Sequence, residues 1–421
     1  MKNKIQAFFA KVSPVLEKIS ANKYLKTIMA AMMATLGPII LGSMAILINL
    51  ATAKLKIVAL SNVLNAINSY TIGSMALYLA FLMAKYLVPY FLKNDDGTMA
   101  GIISIMSFLI LTPLGQITQK GGSIAAIPTT WLSAQGMFSA MITGLIVGRM
   151  YVYIKQHGWT IKMPSSVPPM VSEAFSALIP ALVIGVVFGL ISFLFGLTSW
   201  GSVHQMIFSL IQAPLGHIGG SIWAAILVSL LMQTLWFFGI HGTNVLGALV
   251  NPVWLAMDVE NLNAVANGQT PPNIIGLAFF GIITWSGLAF GLVLLMLFKA
   301  RSKRYKELGR IAIVPSLFGI TEPVIFGTPL VLNFDFAIPF ITNNTICLII
   351  GYVLTKLGIV ARCIGAQTIF GLPLGFHAAV EGKVSIIIMQ LVMQLVLSPL
   401  LWYPWFKHAD NKAYKLEQQS N

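Results

Sequence analysis

The stretch AFSALIPALVIGVVFGLISFLFGL, residues 174–197, holds no Asp, Glu, Lys, Arg or His. A hydrocarbon core about 30 Å thick needs roughly 20 apolar residues in a helix, so this run crosses a bilayer with residues to spare. Working outward, further long apolar runs lie at roughly 27–50, 71–92, 100–117, 133–154, 218–240, 274–298, 336–356 and 380–406. Each reaches or nearly reaches spanning length. Across the 421 residues, 57% are hydrophobic and 9% charged, where a soluble domain carries about 25% charged. A water-soluble fold is excluded, and so is disorder, which needs low hydrophobicity and high charge. The fold class read from this is an all-α membrane protein. It has about ten transmembrane helices, with re-entrant hairpins and interfacial amphipathic helices.

A cleavable export signal has a short apolar core and a small-residue cleavage site. Here the first apolar run begins near Leu25 and is long enough to span, so the chain is expected to keep its N-terminus. Ahead of it, Ile5, Phe8, Phe9, Val12, Leu16 and Ile19 recur at helical spacing among Lys4, Lys11 and Lys18. That pattern predicts an amphipathic helix in the membrane interface.

Basic residues set the orientation. Lys2, Lys4, Lys11, Lys18, Lys23 and Lys26 precede the first span. Lys299, Arg301, Lys303, Arg304, Lys306 and Arg310 follow the run ending near 298, and Lys407, Lys412 and Lys415 lie near the C-terminus. The positive-inside rule puts all three clusters, and hence both termini, in the cytoplasm. Much of the net charge of +14 is thereby explained by a lipid bilayer, with no nucleic-acid partner.

This orientation imposes a parity. Seven apolar runs precede Lys299, and an even number of crossings is required. Segment 241–257, interrupted by two glycines and a proline, supplies an irregular eighth crossing or a hairpin. The last two runs then make ten. Segment 311–333 must enter and leave on one side. Its Pro315, Gly319, Pro323, Gly327 and Pro329 are too many breakers for one plain helix, so it reads as a re-entrant hairpin. Irregular backbone at membrane depth persists only when buried in protein or lining a cavity.

The halves differ. Residues 1–199 carry almost no charge inside their spans and read as a scaffold. Val203, Met206, Ile207, Leu210 and Ile211, closed by Pro214, read as an amphipathic linker over 200–216 on the membrane surface. Residues 217–406 hold the polar oddities, and 407–421 form a cytoplasmic tail. No internal repeat is visible.

The sharpest oddity is Glu322, in FGITEPVIFG, residues 318–327. A carboxylate at membrane depth costs about 3 kcal/mol or more unless partnered, and is functional by default. Pro323 disfavours right-handed helical geometry at Glu322, which places the carboxylate at a break with free backbone donors. His241 is the second candidate, in WFFGIHGTN, residues 236–244. Gly239 and Gly242 on either side let a ligand approach the backbone, and Asn244 is near enough to share the site.

Other candidates are weaker. His217, His377, Glu381 and Lys383 lie at span ends and read as solvated flanks. Asp258 and Glu260 precede a Pro-Pro loop and read as solvent-facing, while Glu173 suits a helix N-terminus. Trp131, Trp159, Trp200, Trp402 and Trp405 fit an interfacial aromatic belt. Cys347 and Cys363 sit in or beside apolar stretches as small buried side chains. No Walker motif, His-x-x-x-His pair or dinucleotide loop is present, so no cofactor or metal is expected.

At the two motifs the sequence resembles the membrane IIC component of the bacterial phosphoenolpyruvate-dependent sugar phosphotransferase system, in its lactose/cellobiose/diacetylchitobiose family. The likeness rests on Gly319-Ile-Thr-Glu-Pro-Val-Ile-Phe-Gly327 with Pro329-Leu-Val-Leu-Asn333, and on Trp236-Phe-Phe-Gly-Ile-His-Gly242 with Asn251-Pro252. It covers nearly the whole chain. The resemblance implies ten spans with re-entrant hairpins, in a bacterial inner membrane. It also implies an N-terminal half that forms a homodimer and a C-terminal half that holds the sugar. Uptake is coupled to phosphorylation by a phosphocysteine on a separate cytoplasmic IIB protein, recharged by IIA; the donor residue is not on this chain. Glu322 and His241 then lie near the hydroxyl that is phosphorylated. Many family members carry Trp-Thr-Thr-Pro-Pro between the last two spans. Here Gly365-Ala-Gln-Thr-Ile-Phe-Gly371 stands instead, with Phe370 the candidate replacement for the aromatic platform.

The expected mechanism follows. Glu322 acts as general base on the acceptor hydroxyl, and His241 orients it or stabilises the phosphoryl charge. Gly242, Asn244, Thr321 and Gln367 contact the disaccharide. Two other classes of function remain. One is a cation-coupled secondary sugar transporter, with Glu322 and His241 as the proton relay. The other is a non-catalytic receptor of sugar uptake.

Overall fold

The computed structural model describes residues 21–54, 57–119, 122–164, 166–328, 330–368 and 371–419. The side chains at 50, 51, 53, 54, 119, 169 and 322 lie outside the description, as do the predicted N-terminal amphipathic helix and Phe370. The described chain forms two compact units, one ending at His217 and the other beginning at Ile218.

In the first unit, Asn22 caps α1 (Lys23–Ala34), its side-chain oxygen accepting from the Tyr24 and Leu25 amides at 2.9 and 3.2 Å. Helices α2 (Leu36–Lys54), α3 (Val58–Tyr70), α4 (Met75–Leu87) and α5 (Thr98–Leu111) follow. At the centre is α4, whose Met75, Leu79, Met83 and Leu87 recur every four residues and are fully buried. Helix α6 (Met137–Gln156) packs on it through Gly144, where a Cβ would overlap the side chain of Met83. The opposite case is α7 (Leu178–Gly196), the chain's most apolar helix. It leaves Leu178, Leu182, Val186 and Leu190 exposed, as a lipid-facing stripe does.

One expectation fails in this unit. The run 100–117 yields only the 14 residues of α5, about 21 Å of helix. It stops before Pro113 and gives way to a β-hairpin, β1 (Gly115–Gln119) with β2 (Gly122–Ala126), paired Gly115 to Ala126. The linker helix α8 (Val203–Ile207) buries Val203, His204 and Ile207, while Leu210 and Ile211 beyond it are exposed. Its His204 is fully buried, Nε2 2.9 Å from Thr112 Oγ1 and Nδ1 2.7 Å from Ser139 Oγ. Those two hydroxyls on flanking helices make burial of the imidazole affordable.

In the second unit, α9 (Ile222–Phe237) is followed by α10 (Gly242–Ala266), α11 (Leu277–Ile283), α12 (Phe290–Lys299) and α13 (Lys303–Leu317). Short α14 (Glu322–Gly327), α15 (Ala337–Lys356), α16 (Val384–Val392) and α17 (Ser398–Gln419) complete it. The stretch expected to be irregular, 241–257, is one continuous helix that contains Pro252; the break lies before it, at Phe238–His241. Segment 311–333 is helix, turn and short helix, with Gly319 at φ +81°. Residues 407–419, expected as a tail, extend α17. There Asp410 accepts from the Arg301 and Ser302 amides at 2.8 and 3.0 Å. Glu417 accepts from those of Lys303 and Arg304 at 2.9 and 3.0 Å. Two carboxylates thus satisfy the free donors at the start of α13.

Trp402, expected in an interfacial belt, is fully buried, its Nε1 donating to the Leu288 carbonyl at 3.0 Å. Asp258, expected to face solvent, is 1% exposed and accepts from the Ala278 amide and Gln367 Nε2, both at 2.8 Å. Glu381, expected as a solvated flank, is 1% exposed and accepts from the Gly365 amide at 3.1 Å. In each case an unpaired backbone or amide group, which the sequence does not display, supplies the partner. Among the described residues, seven helical stretches are long and apolar enough to cross a bilayer, or eight when α9 joins the segment before it. The chain is therefore a multi-pass, mostly helical membrane protein with one short β-hairpin.

Candidate functional site

The turn between α9 and α10 begins with Gly239 at φ +80°, a left-handed conformation that costs glycine little. The reversal brings His241 to the N-terminus of α10, where its Nδ1 accepts from the Asn244 amide at 3.3 Å. The imidazole serves as a helix cap. Because Nδ1 is the acceptor, the proton of the neutral ring sits on Nε2. The Trp236 ring lies against it, centroids 4.3 Å apart. Gly242 is buried, and a Cβ there would overlap the Met232 carbonyl. Its smallness serves the packing of α10 onto α9 rather than access for a ligand.

The second hairpin builds the facing wall. After α13, the Ile320 amide donates to the Pro315 carbonyl at 3.0 Å, and Thr321, 6% exposed, precedes α14. Pro323 was expected to keep Glu322 out of helical geometry. Instead Glu322 is the first residue of α14 and Pro323 the second. A proline is tolerated in a first turn because its missing N–H would have no helical partner there.

These walls enclose a cavity of about 280 Å³. His241 and Trp236 line it from one hairpin, and Gly319 and Thr321 from the other. His241 and the residue next to Glu322 therefore share one space. Asn244 and Gln367 are not among its lining residues. Gln367 is 9% exposed and is held by Asp258 and by the Gly365 carbonyl at 3.1 Å. A further wall comes from the junction of α11 and α12. There Ser286, Gly287 and Leu288 have φ of +59, +55 and +54°. Left-handed geometry at a residue other than glycine costs on the order of 1–3 kcal/mol. Gln394 Nε2 holds the Trp285 carbonyl at 2.9 Å, and Ser398 Oγ that of Leu288 at 2.6 Å. Thr284 and Ser286 line the cavity from this break, Gln233 from α9 and Asn344 from α15. Sequence reading missed these four. The available signal was amide and hydroxyl side chains placed mid-run in otherwise apolar stretches.

Four similarities bear on this site. Residues 29–343 match the family described as Phosphotransferase system, EIIC. The oligo-beta-mannoside-specific EIIC component of Bacillus subtilis (strain 168) is 31% identical over 97% of this chain and 96% of that protein. The cellobiose-specific EIIC component of Geobacillus stearothermophilus is 33% identical over 83% of this chain and 79% of that one. The crystal structure of the transporter ChbC, the IIC component from the N,N′-diacetylchitobiose-specific phosphotransferase system, matches with a TM-score of 0.88. It is 33% identical and covers 97% of this chain and 98% of that chain. With a family match over most of its length and relatives aligned nearly end to end, the chain belongs to the EIIC family of the phosphotransferase system, the sugar-specific membrane components.

Proposed function

We propose that this protein takes up a β-linked disaccharide of the cellobiose or diacetylchitobiose kind and delivers it phosphorylated. The observation that carries the reading is the single cavity lined by His241 and by Thr321 at the start of the Glu322 helix. The names of the three reported relatives, specific for oligo-beta-mannosides, cellobiose and N,N′-diacetylchitobiose, support the substrate class.

The donor is a phosphocysteine on a separate cytoplasmic IIB protein, recharged by IIA. The acceptor hydroxyl attacks phosphorus, the S–P bond breaks, and the cysteine leaves as thiolate. The hydroxyl proton passes to the Glu322 carboxylate, general-base help typically worth 10²–10⁴-fold. Phosphoryl transfer otherwise depends on positioning and electrostatics, and His241 contributes there by pointing Nε2–H at the acceptor or phosphoryl oxygen. Thr321 binds sugar hydroxyls, Asn244 steadies His241 through its backbone amide, and Gly242 and Gln367 act through the backbone they hold. The phosphorylated sugar is charged and cannot return, so no ion gradient is needed.

In this reading the chain makes ten crossings of the bacterial inner membrane, with both termini cytoplasmic and the two hairpins re-entrant. Residues 1–199 form the homodimer. In membranes supplied with IIA, IIB and phosphoenolpyruvate, Glu322→Gln is expected to bind sugar with ordinary affinity and to lose phosphorylation. Undiminished phosphorylation by that variant removes the base role. Accumulation of unmodified sugar, abolished by uncouplers, establishes a proton-coupled transporter instead.

A further inference from the structure

The left-handed break at 286–288 is an expensive conformation at two of its three residues, and the protein invests in holding it. Gln390, Gln394, Ser398 and Trp402, spaced four apart, donate to the carbonyls of Ile282, Trp285, Leu288 and Leu288 respectively. A continuous helix would have satisfied those carbonyls itself. What the break achieves is to turn Thr284, Ser286 and Gly287 into the cavity. Ser286 Oγ is buried without a hydrogen-bond partner among the described residues. Asn344 also lines this cavity. It is 5% exposed, and its Oδ1 is likewise buried without a partner. Native proteins rarely leave buried polar atoms unpaired, and a site where they do so lacks something.

We propose that Ser286 and Asn344 are substrate-binding residues. They form a hydroxyl-reading wall for the sugar ring, separate from the His241 and Thr321 hairpins. The Asn344 amide oxygen accepts a sugar O–H, and the Ser286 hydroxyl donates to a sugar oxygen. A ring that lacks or inverts the matching hydroxyl leaves the amide unpaired, so this wall sets which hexose is accepted. Sites built to bond a hydroxyl reject analogues lacking it far more strongly than apolar pockets do. The assignment rests on the phosphotransferase reading above and adds to it the residues that choose the sugar.

The test is equilibrium binding of cellobiose and diacetylchitobiose to the purified full-length protein, together with KM and kcat for coupled uptake. Ser286→Gly is informative because glycine adopts φ near +59° without strain, so the variant folds while losing only the hydroxyl. Asn344→Leu and Asn344→Ser supply the second position. The expected result is a rise in Kd and KM of about 10-fold or more for each, with kcat within about two-fold. The ratio of the two sugars' kcat/KM should also change. Unchanged Kd and unchanged sugar preference in Ser286→Gly and Asn344→Leu, beside a wild type that binds, overturn this assignment alone. A wild type that binds neither sugar and supports no phosphorylation overturns the underlying reading instead.

Discussion

The backbone N–H of Leu332 donates to the carbonyl of Phe237 across 2.9 Å. This bond ties the chain that follows α14 to the last residue of α9, and so fixes the two hairpins relative to each other. Leu332 has φ +57°, and its side chain is 45% exposed, so the geometry serves the amide rather than the leucine. Leu332→Gly should relieve about 1 kcal/mol of strain and preserve coupled phosphorylation. Leu332→Pro removes the N–H and demands negative φ. It should reach the membrane yet lose phosphorylation by at least 10-fold. Equal activity in the two variants would show that the bond does not position the hairpins.

In the proposed mechanism His241 has two separable duties. Nδ1 caps α10, and Nε2 serves the reacting oxygens in the cavity that the ring lines. Asparagine is a good helix cap but has nothing to replace Nε2. His241→Asn should therefore keep the wild-type melting temperature while phosphorylation falls by 10²-fold or more. His241→Ala should lose both, with about 1 kcal/mol of stability lost along with the cap. A fully active His241→Asn would restrict the histidine to a structural part.

Much of the architecture was legible in composition and run length, because lipid demands uninterrupted apolar stretches. The break at 319 was legible too, since glycine and proline mark its segment, whereas the break at 239 was expected a few residues later, within 241–257. What could not be read was partner-dependent. Asp258 looks solvent-bound until the Ala278 amide is seen beside it. Trp402 looks interfacial until the Leu288 carbonyl appears. His241 stood out as a lone polar residue in its motif, whereas Asn344 was masked by an apolar run long enough to span. The break at 286–288 has only one glycine to announce it, because distant side chains, not local ones, stabilise it.

The Gly365 backbone is a contact point for the buried Asp258. A Cβ at Gly365 would overlap the Asp258 main chain, at φ +89°. Gly358 has φ +75° with open space around it and isolates the strain term. Gly358→Ala should cost about 1 kcal/mol for positive φ alone. Gly365→Ala should cost about 2–4 kcal/mol, because overpacking adds to it. Thermal unfolding in detergent reads the difference. Equal shifts would mean that the 361–368 segment moves aside freely.

Neither cysteine of this chain is reachable, Cys347 being 0% and Cys363 2% exposed. Burial removes both thiols from reagent. Maleimide should leave the folded protein unmodified until it is denatured. Inhibition of coupled uptake by maleimide should then trace to the IIB thiol, and fresh IIB should restore activity. Failure of fresh IIB to rescue would place a reactive thiol on this chain.

The Leu288 carbonyl receives two donors, Ser398 Oγ at 2.6 Å and Trp402 Nε1 at 3.0 Å. A carbonyl oxygen with two lone pairs stays satisfied when it loses one donor. Ser398→Ala and Trp402→Phe should each cost only about 0.5–1 kcal/mol for the lost hydrogen bond, Trp402→Phe adding the loss of buried volume. The double variant strands the oxygen beside a strained break, which adds the desolvation cost of an unpaired acceptor, about 1–3 kcal/mol. The pair should therefore be destabilising beyond the sum of its parts, by an amount a double-mutant cycle resolves. If the two effects add, a third donor, such as a neighbouring backbone amide or a water, must reach Leu288. The break would then be held by more than the helical face, running from α16 into α17, that carries Gln390, Gln394, Ser398 and Trp402.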